Sequence, residues 1–194
     1  MSKSDPAASK KERNKTIRWV VTIFIVTIMV SAVISFASNE LMEASSVLVA
    51  FIILFFIIFI GIIFDVIGVA VTSADEKPFH SMAARKVPGG HEAISLLRNA
   101  ERVSSICNDV VGDICGVISG SASASIAAQI ITNFSGNVGE VIMLVMSAMV
   151  AGFTVGGKAI GKTFAIGSCT KIVAGVGKII WFFHNFPALF KKKK

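Results

Sequence analysis

Charge is scarce in this chain. Only 16% of its 194 residues are charged, whereas 54% are hydrophobic. Soluble domains carry about a quarter charged residues. With a mean hydropathy of +0.75, the chain is expected to hide its apolar surface in a bilayer. Cysteine is also sparse. Cys107, Cys115 and Cys169 make an odd count with no close pair. They read as small packing residues, not as a disulfide or metal framework. His80, His91 and His184 are scattered without ligand spacing. No Ser-His-Asp, phosphate-loop or zinc-protease pattern is present. Nothing supplies a nucleophile with its base, so an enzyme is not expected.

What the chain has is long apolar runs. "VLVAFIILFFIIFIGIIF" (47–64) is eighteen residues without a charge, long enough to be read as a spanning helix. "WVVTIFIVTIMVSAVISFA" (19–37) is also long enough. Its basic front and its small residues Ser35 and Ala37 fit a signal peptide as well. Further spans are expected over 103–132 and 138–157. This reading gives an all-α membrane protein with four transmembrane helices.

Four segments follow: a disordered basic tail (1–16), an extra N-terminal helix and outer loop (17–46), a main transmembrane domain (47–185) and a basic C-terminal tail (186–194). The polar stretch 73–102 holds "VPGGH" (87–91), whose proline and paired glycines break a helix. Short amphipathic helices are expected on either side, over 79–86 and 92–101, at the membrane surface. "NFSGN" (133–137) reads as a turn, and Trp181 with its phenylalanines suits an interfacial helix.

The net charge is +7, but the basic residues flank the apolar runs or end the chain. That is the pattern of contact with anionic lipid, not of a nucleic-acid surface. Loops 38–46 and 133–139 contain none of the 19 lysines and arginines. The positive-inside rule then places both termini in the cytoplasm.

Acids stand inside these spans. Asp109, Asp113, Gly116 and Gly120 fall within one narrow helical arc, with Gly112 at its flank. Gly112, Gly116 and Gly120 repeat a small-xxx-small pattern that lets a second helix approach. Asp65, Thr72 and Glu76 share a face of the second span, with Ser73 at its edge. An aspartate at a span centre costs about 3 kcal/mol on insertion scales. A hard cation held by acids, hydroxyls and Asn108 would account for them. So would an ion pair with a lysine of a neighbouring helix, above all Lys158.

The order of these parts resembles the transmembrane domain of the CorB/CorC and cyclin M magnesium transport family, over about 47–183. "SADEKPF" (73–79) stands where that family has a serine-rich motif, and it keeps Ser73 and Glu76. "GGHEAISLLRNAER" (89–102) is similar to the family's juxtamembrane helix. "NDVVGDI" (108–114) puts Asp109 and Asp113 at the family's paired asparagines, and "GKAIGKTFA" (157–165) matches its Gly-Glu-Ile-x-Pro-Lys segment in frame. The departures are Val69 for a serine, Lys158 for the glutamate, Gly161 for the proline and no CBS pair within the chain.

The resemblance implies a divalent cation transporter-like protein. Mg²⁺ would be held by Ser73, Glu76, Asn108, Asp109 and Asp113, with Lys158, Asp65 and Thr72 modulating the site. No organic cofactor is implied. It also implies a homodimer in the bilayer, in a bacterial plasma membrane. The alternative is a non-transporting scaffold or regulatory subunit derived from that family, with Lys158 filling the cation's place. Its partner would be a full-length family member or another membrane protein. An inward Lys158 favours the scaffold, and a Lys158 directed to the cytoplasm favours transport.

Overall fold

A computed structural model describes the backbone at residues 6–43, 45–131 and 138–191. All regular structure among the described residues is helical. Helix α1 runs Pro6–Glu43, α2 Val47–Ser73, α3 Lys77–Ala84, α4 Gly90–Arg98 and α5 Ala100–Ser105. A π-helical segment, Ile106–Gly112, leads into α6 (Asp113–Ile131), and α7 covers Val138–Lys191. Four of these stretches are long and apolar enough to cross a membrane: Thr16–Ser38, Val47–Ser73, Ala100–Ile131 and Gly139–Asn185. Large apolar side chains such as Phe24, Leu48, Leu144 and Ile160 are exposed on their outer faces, as lipid-facing surfaces are.

Helix α2 is the hub. Its buried residues Ala50, Leu54, Ile58, Gly61, Asp65 and Gly68 recur every three or four positions and form one stripe. At one end of the stripe, Ala50, Leu54 and Ile58 pack on Ala122 and Ile126 of α6 and on Met146 and Val150 of α7. At the other end, Ala70 and Val71 join Phe79, Ala93, Leu97, Ala165 and Val173. Helices α3 and α4 are thereby pinned under α7 by a small core of their own. Helix α1 is peripheral, and Ile23 is its apolar contact with the Val110, Ile114 and Ile118 cluster.

Several boundaries differ from the sequence reading. Of the basic tail 1–16, expected to lack structure, residues 1–5 lie outside the described residues and 6–16 are helical. The amphipathic helices start two residues earlier than expected. The helix of the fourth span does not end near 157. Helix α7 is 54 residues long in all, about 80 Å at 1.5 Å per residue, so only part of it fits the roughly 30 Å hydrocarbon layer. Ser168, with φ −126° and ψ 18°, breaks it into two arms. The first arm packs along α2. The second lies against α4 and carries the expected Trp181 segment through residue 185 without a break. The expected turn at 133–137 lies outside the described residues.

The second arm docks through glycine. Gly89 has φ +88°, a left-handed conformation that L side chains rarely adopt. A Cβ on Gly89 would lie 2.5 Å from the Lys178 backbone nitrogen, and one on Gly177 would lie 2.5 Å from the Gly89 carbonyl oxygen. The turn and α7 are therefore in backbone contact, closer than any side chain permits.

Candidate functional site

The polar centre of the bundle is built on Asp65. It is the most deeply buried charged residue among those described, 3% exposed on the core stripe of α2. Two features bring neighbours close to it. Gly61 and Gly68 stand one turn to either side. A Cβ at Gly61 would come within 2.9 Å of Cys115 Cβ, and a Cβ at Gly68 would collide with the Asn108 side chain. Opposite, Gly157, Gly161 and Ala165 repeat at four-residue spacing on α7. Gly161 sits so close to α2 that a Cβ would lie 2.7 Å from Val66 Cγ2, and a Cβ on Gly157 would meet Ile62. Small residues draw α7 onto α2.

That approach delivers two ammonium groups to one carboxylate. Lys158 Nζ lies 3.7 Å from Asp65 Oδ1, and Lys162 Nζ lies 3.9 Å from Oδ2. Lys158 is largely enclosed, whereas Lys162 is half exposed. The lysines are four positions apart and share a helix face. Gly112 completes the enclosure, since a Cβ there would stand 3.2 Å from Lys158 Nζ. Asp65 Oδ2 and Asn108 Oδ1 are buried acceptors without a hydrogen-bond partner. The Asn108 amide donates to Ser104 Oγ at 3.1 Å. The cluster thus carries one carboxylate, two ammonium groups and two oxygens with unused acceptor capacity.

The π-helical segment contributes to this geometry. Its wider turn spans Cys107, Asn108, Asp109 and Gly112, a departure from regular helix that is frequent at functional sites. It turns Cys107, Val110 and Gly112 inward and leaves Asp109 exposed.

The sequence reading expected a different grouping. Asp109 and Asp113 were expected inside the bundle, near Ser73 and Glu76. Both are exposed instead, and Asp109 accepts a hydrogen bond from Ser105 Oγ at 2.8 Å. Thr72 and Ser73 are exposed at the end of α2, and the Thr72 hydroxyl donates to its own helix at the Val69 carbonyl, 3.0 Å away. Glu76 pairs with His80 at 3.3 Å. No group of three or more His, Cys, Asp or Glu side chains gathers as metal ligands among the described residues. Lys158 forms an ion pair with neither Asp109 nor Asp113, and it does not extend away from the bundle. It points inward to Asp65. The expected glycine seam is also only partly closed. Gly112 is enclosed, but a Cβ at Gly116 or Gly120 would meet nothing within 4 Å. Both line an open groove with Ser119, Ser123, Ser147 and Thr154.

Sequence reasoning missed Lys162 and the Gly157–Gly161–Ala165 face. The signal was present: two small-xxx-small steps adjoin two lysines at the same spacing. The chain matches no protein-family model, no curated protein and no solved structure.

Proposed function

We propose that this chain is a membrane-embedded helical scaffold or regulatory subunit, in which lysines of the same chain take the place that a metal ion would hold. The observation that carries this reading is Asp65, buried on the core stripe with Lys158 at 3.7 Å and Lys162 at 3.9 Å. A carboxylate so deep in the bundle requires a compensating positive charge, and two ammonium groups supply it. The outward acids Asp109 and Asp113, together with the open groove along Gly116 and Gly120, suit contact with another membrane protein or a second copy. No catalytic role is assigned.

The second reading is Mg²⁺ transport, implied by the likeness to the CorB/CorC and cyclin M family. Its support here is two buried acceptors that receive no hydrogen bond, Asp65 Oδ2 and Asn108 Oδ1, oxygen ligands of the kind Mg²⁺ prefers. The two readings part in one measurement. For the scaffold, the thermal midpoint of the purified protein does not respond to Mg²⁺, and liposomes containing it take up no Mg²⁺. A midpoint that rises with Mg²⁺ and falls back in Asn108→Ala, together with uptake, would establish transport, because binding to the folded state raises stability.

A further inference from the structure

We propose that the shallow groove between α1 and α5 binds the phosphate of an anionic phospholipid headgroup. Arg18, Trp19, Thr22 and Arg102 line a depression of about 410 Å³. The Arg102 guanidinium carbon lies 5.2 Å from the centre of the Trp19 ring. A guanidinium held over an indole by cation–π attraction keeps N–H donors for a further partner, and its planar fork matches phosphate oxygens. Arg18 adds a second positive charge at the same mouth. Both arginines are exposed, and among the described residues no carboxylate forms an ion pair with either.

Depth selects the ligand. Arg18 directly precedes the apolar run 19–37, and Arg102 directly precedes the apolar stretch that opens at Val103. Basic residues at the edge of apolar spans, with an aromatic ring beside them, are placed where headgroup phosphates sit. Thr16 and Glu101 line the adjoining depression with Trp19 and Arg102. Glu101 opposes an anion there, which makes it a built-in check on the assignment.

Native mass spectrometry of the full chain from mixed micelles of phosphatidylglycerol and phosphatidylcholine tests the site. The wild-type protein retains phosphatidylglycerol preferentially. Arg18→Gln and Arg102→Gln each weaken its affinity about fivefold, the effect of one basic residue near a membrane surface. Glu101→Gln strengthens it, and Arg102→Lys falls between wild type and Arg102→Gln. Excess inorganic phosphate leaves the lipid bound. Equal retention of the two lipids, displacement by inorganic phosphate, or wild-type affinity in the arginine variants overturns the proposal. Arg18 is exposed on a peripheral helix, so Arg18→Gln decides the matter alone if Arg102→Gln does not fold.

Discussion

Lys158 and Lys162 have long side chains, and Asp65 has a short one. That difference predicts unequal effects when the cluster is broken. Without Asp65, Lys162, already half exposed, extends away, and the flexible stem of Lys158 lets its ammonium follow part of the way. Without Lys158, the carboxylate cannot move, because Gly61 and Gly68 hold α2 against its neighbours on both sides. Lys158→Met leaves Asp65 only the half-exposed Lys162 and is therefore expected to destabilise the fold, by less than the roughly 3 kcal/mol of a fully stranded buried charge. Asp65→Asn is expected to be milder. Adding Asp65→Asn to Lys158→Met restores part of the loss, since a pair half removed is worse than one wholly removed. Thermal or denaturant unfolding in detergent of the two single variants and the double variant measures this order. Equal losses in the two single variants would refute the role given to side-chain reach.

At the scale of elements, two glycine faces behave differently. Gly161 is in contact with Val66, whereas Gly116 faces open space. Gly161→Leu is expected to drive α7 from α2 and lower stability by about 1–3 kcal/mol, the usual effect of overpacking. Gly116→Leu should leave the unfolding midpoint of the isolated chain near wild type, and only a partner seated in the groove would feel it. The same unfolding assay on both variants compares them directly. The turn before α4 carries a separate prediction. Gly89→Ala sets a Cβ against the backbone of Lys178 in a left-handed conformation. It is expected to release the second arm of α7 from α4, read as faster amide hydrogen exchange over 169–185 with 138–160 unchanged.

For the whole molecule, the distribution of charge predicts an orientation. With lysine and arginine excluded from 38–46 and 133–139, single cysteines at Asn39 and Gly136, in a cysteine-free background, are expected to react with an impermeant maleimide on intact cells. A cysteine at Ser81 should react only after permeabilisation. The reverse pattern would invert the topology. On that expected topology the groove of Arg18 and Arg102, the cluster of α3 and α4, and the second arm of α7 would all lie on the cytoplasmic side, where anionic lipid is concentrated.

Spans and their order could be read from the sequence because each rests on a one-dimensional property. A run such as 47–64 must be helical in lipid whatever it packs against, since every backbone N–H and C=O has to be satisfied within the segment. The break at Gly89 was legible for a similar reason: proline and glycine act on the local backbone. Which acid sits inside was not legible. Asp65, Asp109 and Asp113 are alike as residues in apolar surroundings. Ideal helical periodicity grouped Asp109 and Asp113 with Gly116 and Gly120, on the face expected to pack. The tertiary structure decided otherwise: that face stands open, with Asp109 and Asp113 exposed and nothing within 4 Å of a Cβ at Gly116 or Gly120, whereas Asn108 and Gly112 face Gly68 and Asp65 of α2. The Gly157–Gly161–Ala165 face then seats α7 on α2, which brings Lys158 and Lys162 to Asp65. Charges pair by distance in space, and that distance is set by which helix faces come close enough to touch.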